Sequence, residues 1–179
     1  MPAPGVTLPP TRYLRWFLPI SSDLRLGGRY QLQGNAGGEI TRCESPRHLA
    51  VTWEYGGDVS WVTVQLAPDP KGGTRLELEH VAHVGDDRWE QFGPAAVGVG
   101  WDLAMMGLGQ HLETGASADP QAAMAWMGSP EGKDFMRKCS EAWGKASIAG
   151  GTDAAAAKAA AQRTAAFYTG EGGGETAGG

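Results

Sequence analysis

The middle of the chain alternates apolar and polar residues, with short turns between the alternating segments. These segments lie between Leu26 and Val84 and read "GRYQLQGN", "EITRCE", "LAVTWEY", "VSWVTVQLA" and "TRLELEHVAH". The fourth segment differs from the others, because it is apolar on both faces, which predicts a well-covered strand. Successive side chains of a strand point to opposite faces, so a period of two predicts strands with one apolar and one mostly polar face. The intervening turns are rich in glycine, proline and asparagine. Such turns favour tight reversals, and the pattern predicts a five-stranded antiparallel meander.

After Val84 the spacing of apolar residues changes from two to three and four. Within "GPAAVGVGWDLAMMGLGQHL" (residues 93–112) one face is predicted to carry Val97, Trp101, Ala104, Met105, Leu108 and Leu112. This spacing predicts an amphipathic helix that begins near Pro94. A helix of this kind and a one-sided sheet can bury their apolar surfaces together, so the predicted fold class is α+β, with the helix laid across the sheet.

The glycines of this main helix admit two interpretations. Gly98 and Gly100 begin a dinucleotide-binding pattern, but Leu103 stands where its third glycine is needed, and the lysine of a phosphate-binding loop is missing nearby. We therefore do not expect a nucleotide site. Alternatively, Gly100, Ala104 and Gly107 form a smooth strip. Each interior glycine costs about 0.5–1 kcal/mol relative to alanine, so close packing or cavity space must offset that cost.

Further helices are expected beyond the main helix. Asp119-Pro120 and Ser129-Pro130 each combine a capping residue with a proline suited to the first turn. An alanine-rich segment of high helix propensity follows, and a glycine-rich tail ends the chain. The predicted organisation is a proline-rich irregular arm at 1–10, a sheet-and-helix domain at 11–114, a helical extension at 115–169 and a disordered tail at 170–179.

Composition narrows the classes of function. The net charge of -5 argues against a nucleic-acid-binding surface, which is normally basic. No apolar run reaches the roughly 18 residues of a membrane span, and the first residues do not resemble a secretory signal. Cys43 and Cys139 are far apart in the sequence, and we expect them to be reduced thiols, with a disulfide between them as the alternative. The expected location is the cytoplasm.

Several segments together resemble one known family. They are "RWFLP", "LGGRYQLQGNAGGEI", "CESPRHLAVTWEYGG", "VSWVTVQLAP", "TRLELEHVAH" and "GPAAVGVGWDLAMMGLGQHL". Their series over residues 11–113 resembles bacterial proteins of the SRPBCC superfamily. Within it, the series is similar to the group named for the C-terminal domain of the activator of heat-shock-protein-90 ATPase.

The resemblance implies a START-like helix-grip fold, in which a curved antiparallel sheet wraps around a long C-terminal helix and leaves a cavity. Members of the superfamily include lipid and hormone binders, polyketide cyclases and co-chaperone domains, so this fold does not determine the function. The family also has a strand and a helix ahead of the "RWFLP" region. Here four prolines occupy residues 1–10. We therefore expect the usual first strand to be missing, through a mis-assigned start codon or a natural truncation.

The candidate site is the predicted cavity between the sheet and the main helix. His80 follows Leu76 and Leu78 on the inward face, whereas His83 points to the opposite face, so "HVAH" is a poor metal chelate. Asp102 lies early in the main helix, where the helix dipole alone favours an acid. The candidate cavity residues are Trp53, Tyr55, Trp61, Leu78, His80, Val97, Trp101, Asp102 and Met105. We expect no catalytic nucleophile, cofactor or metal.

The favoured function is non-catalytic binding of a small hydrophobic molecule in that cavity. One alternative is a protein–protein or co-chaperone-like module, whose extension helices contribute Phe135, Trp143, Phe167 and Tyr168 as anchors. The other alternative is an enzyme resembling polyketide cyclases, in which His80 and Asp102 polarise a bound carbonyl. His80 is also explained as a hydrogen-bonded core residue.

Overall fold

The computed structural model describes residues 16–84 and 87–171, except for the side chain of Asp87. The predicted α+β class is confirmed, with a curved antiparallel sheet followed by helices. The chain divides between His83 and Val84 into two compact units. We call them the sheet unit and the helical unit.

The sheet unit is an antiparallel meander whose strands neighbour each other in chain order. The strands are β1 (Ile20–Ser22), β2 (Arg29–Leu32), β3 (Gly37–Glu44), β4 (His48–Tyr55), β5 (Asp58–Pro68) and β6 (Thr74–Val81). The five predicted strands are confirmed as β2 to β6. Strand β1 is additional, because its three residues are too few to show an alternation. The predicted absence of the family's first strand concerns residues 1–10, which lie outside the described ranges.

The register of the strands separates the sheet into two faces. Ile40 pairs with Val51, Val51 with Val62, and Val62 with His80. Cross-strand partners point to the same side of an antiparallel sheet, so this row defines what we call the apolar face. Ile40, Val51 and Val62 are 1%, 8% and 4% exposed. The opposite, polar face carries an ion pair between Arg29 and Glu54, with a distance of 2.8 Å. The predicted two-sided pattern is confirmed.

A two-residue turn sets the register of β4 and β5. Gly56 and Gly57 have φ values of +63° and +90°, a conformation that glycine adopts without steric cost. Tyr55 consequently pairs with Asp58, and Trp53 pairs with Ser60. Two residues further from the turn, the same register pairs Val51 with Val62.

The helical unit contains the main helix and the extension. Its helices are α1 (Asp87–Phe92), α2 (Ala95–Thr114), α3 (Pro120–Gly128), α4 (Pro130–Ala149) and α5 (Ala154–Thr169). The predicted main helix is confirmed as α2. Both predicted caps are confirmed: the Asp119 carboxylate accepts hydrogen bonds from the amides of Gln121 and Ala122, and the Ser129 hydroxyl accepts one from Gly132.

Helix α4 packs against α2 at Gly98. A Cβ atom at Gly98 would lie 2.1 Å from Cε2 of Trp143 in α4, so only glycine fits beneath the indole ring. The predicted smooth strip is thus only partly right. Ala104 is buried, but a Cβ at Gly100 would meet only the Tyr168 hydroxyl, at an ordinary 3.4 Å. The close approach to α4 occurs at Gly98 instead.

Helix α5 ties α1 to the start of α2. The hydroxyl of Thr164 donates to the carbonyl of Phe92 at 3.0 Å, and the hydroxyl of Tyr168 donates to the carbonyl of Ala96 at 2.8 Å. The main helix therefore packs with the extension in the helical unit. The predicted domain limits, including the boundary at 114, stay a prediction. Of the predicted tail, residues 172–179 lie outside the described ranges.

We expect Gly98→Ala to lower the free energy of unfolding by about 1–3 kcal/mol, because the added methyl group overpacks the Trp143 contact. Gly109→Ala is the matched control on the same helix, since nothing lies within 4 Å of a Cβ there. It should raise stability by about 0.5–1 kcal/mol. Urea unfolding of the two variants tests the contact. Equal effects of the two substitutions would contradict it.

Candidate functional site

A polar pair interrupts the apolar face where β5 and β6 meet. Oγ of Ser60 and Nε2 of His80 share a hydrogen bond of 2.8 Å. The Ser60 hydroxyl also lies 3.3 Å from the carbonyl oxygen of Trp53 on β4. The rings of Trp53 and His80 are 5.8 Å apart between centroids and tilted by 56°. Three neighbouring strands therefore bring one hydroxyl, one imidazole and one indole together.

Burial determines the charge of this cluster. Desolvation lowers the pKa of His80 below its ordinary value of 6.5. The imidazole is therefore neutral at neutral pH, because burial disfavours its charged form. A neutral imidazole bonded to a hydroxyl offers hydrogen-bonding capacity without a full charge. Such a cluster suits an uncharged polar group on an otherwise apolar molecule.

Two further predicted residues lie on the same face. Leu78 pairs with Val64 and precedes His80 by two residues, so it extends the apolar surface beside the cluster. Tyr55 pairs with Asp58 at the hairpin end of the strands and is 54% exposed. The structure thus places Trp53 beside His80, with Leu78 on the same face and Tyr55 at the margin.

Trp61 lies on the polar face, which corrects its predicted grouping with Trp53 and His80. It pairs with Thr52 and Val81, and its ring meets that of His83 edge-on at 5.3 Å. Trp61 is one residue removed from Ser60, and one step along a strand reverses the direction of the side chain. It cannot share a binding surface with the apolar face.

The predicted residues of the main helix belong to the helical unit. Val97 is exposed, and Trp101 is half-buried. Asp102 and Met105 line a groove of about 430 Å³ between α2 and α4, which we call the helical groove. The Asp102 carboxylate accepts a hydrogen bond of 2.9 Å from the indole nitrogen of Trp143. This contact ties α4 to α2.

A cysteine in the same groove remains a thiol at neutral pH. Burial is the main cause that raises the pKa of Cys139, to about 12, and the neighbouring Asp102 carboxylate raises it further. A thiolate is the nucleophilic form of cysteine, and the raised pKa disfavours that form at neutral pH.

Two residues of these clusters were missed by sequence reasoning. Ser60 is one, although the Gly56-Gly57 turn signals its pairing with Trp53. Trp143 was expected only as an anchor of the extension, and no sequence signal connects it to Asp102, which lies 41 residues away.

Among residues 16–84 and 87–171, no three histidine, cysteine, aspartate or glutamate side chains come together as a group able to hold a metal ion. Across the same ranges, none of the helices has both the length and the hydropathy that a membrane crossing requires.

The shifted pKa of His80 makes stability depend on pH. Its pKa is lower in the folded than in the unfolded chain, so the unfolded chain binds the proton first as the pH falls. The stabilising contribution is complete above the unfolded pKa and declines as the pH falls toward the folded value. We expect His80→Gln to remove this part of the decline, as measured by urea unfolding at pH 7.5 and 5.5. Parallel losses of stability in wild type and variant would contradict the assignment.

Comparisons with known proteins identify relatives of the chain. The crystal structure of CalU16 from Micromonospora echinospora is 37% identical, with a TM-score of 0.57, and the match covers 75% of this chain and 71% of that protein. The solution structure of CalU16 gives 35% identity and a TM-score of 0.62, with coverage of 80% and 76%. No curated protein matches the chain.

The family model described as "Activator of Hsp90 ATPase homolog 1-like protein" matches residues 8–113. This range contains the described strands β1 to β6 and nearly all of α2. The likeness to CalU16 supports the helix-grip fold class. The chain therefore belongs to the Activator of Hsp90 ATPase homolog 1-like family of the SRPBCC superfamily.

Proposed function

We propose that this protein binds a small hydrophobic molecule at the apolar face of its sheet, without covalent catalysis. The observation that carries the proposal is the Ser60–His80 pair, which lies beside Trp53 within a mostly aliphatic row. Ligand sites for small molecules are mostly apolar, with a few polar groups that orient the ligand. This cluster has that composition.

The hydrogen-bonding capacity of Ser60 indicates which polar group the ligand carries. A serine hydroxyl has one hydrogen and two lone pairs. Whichever way the proton points in the contacts with His80 and Trp53, at least one lone pair of Oγ remains. That lone pair accepts a hydrogen bond from a donor. The proposed ligand is therefore uncharged and apolar, with a hydroxyl or a comparable donor at one end.

Family membership supports this class of function at a coarse level. SRPBCC proteins are associated with hydrophobic ligands or cyclase-like chemistry. The predicted enclosure of the ligand by the main helix stays a prediction. The alternative of a protein–protein interaction module also stays a prediction. Two of its predicted anchors, Trp143 and Tyr168, already pack on α2 within the helical unit.

Truncation of the two tryptophans on opposite faces of the sheet tests the proposal. The probe is N-phenyl-1-naphthylamine, a neutral hydrophobic fluorophore. Trp53→Ala should weaken its binding about tenfold, because a large aromatic contact surface is lost. Trp61→Ala removes the same side chain from the polar face and should leave the affinity unchanged. Fluorescence titration measures both, and circular dichroism confirms that each variant is folded.

Ligand binding should also stabilise the fold by mass action. Saturation at about one hundred times the dissociation constant adds about 2.7 kcal/mol to the free energy of unfolding. The proposal is contradicted if the wild type binds no such probe. It is equally contradicted if Trp61→Ala weakens binding as much as Trp53→Ala.

A further inference from the structure

We propose that the helical groove is a second binding site, for an apolar molecule that carries a protonated amine. The groove lies between α2 and α4 and has a volume of about 430 Å³. Small-molecule sites in proteins span about 300–1,000 Å³, so a compact aromatic or short alkyl amine fits this space. Every lining side chain belongs to the helical unit, so this site does not depend on the proposed function of the sheet face.

The walls of the groove are apolar and adaptable. Met105 and Met106 line it from α2, and Phe135 lines it from α4. Methionine is flexible and polarisable, so it adjusts to ligands of different shape. The ring of Phe135 packs edge-on against that of Trp126 in α3, at 5.7 Å between centroids. One wall of the groove is therefore braced from behind, and the other can adapt.

A half-buried carboxylate supplies the polar end of the site. One oxygen of Asp102 accepts the indole N–H of Trp143. Within residues 16–84 and 87–171, Asp102 forms no ion pair. Trp143 is a neutral donor, so it orients the carboxylate without balancing its charge. A protonated amine provides both the missing charge and further N–H donors, and such charge-assisted hydrogen bonds are the strong ones.

The other polar groups of the groove do not change the sign of its net charge. Lys138 also lines the groove, but its ammonium is held 2.7 Å from the carboxylate of Asp134 and is largely exposed. Cys139 adds no charge, because its thiol is protonated at neutral pH. The unbalanced charge is therefore that of Asp102, which favours a cation over an anion.

Nuclear magnetic resonance of the full chain with ¹³C-methyl methionine, valine and leucine tests the site. The probes are 4-phenylbutylamine, the neutral 4-phenyl-1-butanol and the anionic 4-phenylbutanoate. The amine should shift the methyl signals of Met105 and Met106 saturably, with an affinity at least about tenfold above that of the alcohol. The acid should bind more weakly than the alcohol.

A neutral replacement of the carboxylate provides the decisive variant. Asp102→Asn keeps an acceptor for Trp143 and removes the charge, so it should lower the affinity for the amine to that for the alcohol. Glu113→Gln is the matched control, because it removes the same charge from an exposed position of α2 and should leave the affinity unchanged.

Several outcomes overturn the inference. Equal affinities of amine and alcohol in the wild type do so, even if Asp102→Asn fails to fold. An unchanged affinity for the amine in a folded Asp102→Asn variant does so too. If the amine shifts only the methyl signals of Val62 and Leu78, on the sheet, binding in the helical groove is refuted. The function proposed for the apolar face would remain intact.

Discussion

The hydrogen-bonded register of β4, β5 and β6 decides which side chains of the sheet can act together. Trp53 pairs with Ser60, and Val62 pairs with His80, so the indole, the hydroxyl and the imidazole project from one face. A shift of one residue would exchange Ser60 for Trp61 and move the polar pair to the other side. The burial that keeps His80 neutral and the proposed specificity for an uncharged ligand both follow from this register.

Much of the sheet is predictable because its determinants are local. Alternation gives the strands, and the glycine pair at 56–57 gives the pairing of Trp53 with Ser60. Grouping Trp61 with the cavity residues was wrong, because it lies on the other face of the sheet. Counting residues from the glycine turn pairs it with Thr52. Three-residue β1 and six-residue α1 were missed, because neither is long enough for a periodic pattern.

In the helical unit, local features were predicted from the sequence, but contacts between different helices were not. The caps at Asp119 and Ser129 were predicted, because the capping residue and its partners lie within three positions. The role of Gly98 was not predicted, since it depends on the indole of Trp143 in another helix. The same indole engages Asp102. In the sequence, the helix dipole alone was enough to explain an acidic residue at position 102. In the structure, the hydrogen bond of Asp102 joins α2 to α4.

The sheet face and the helical groove differ in their chemistry. A neutral pair marks the first, and an unbalanced carboxylate marks the second. Ligand binding at the sheet face is tested most directly by nuclear Overhauser effects between bound N-phenyl-1-naphthylamine and the protein. We expect contacts to the ring of Trp53 and to the methyl groups of Leu78, which are only partly buried on the apolar face. Contacts instead to Ala50 and Thr63, which pair on the polar face, would contradict this expectation.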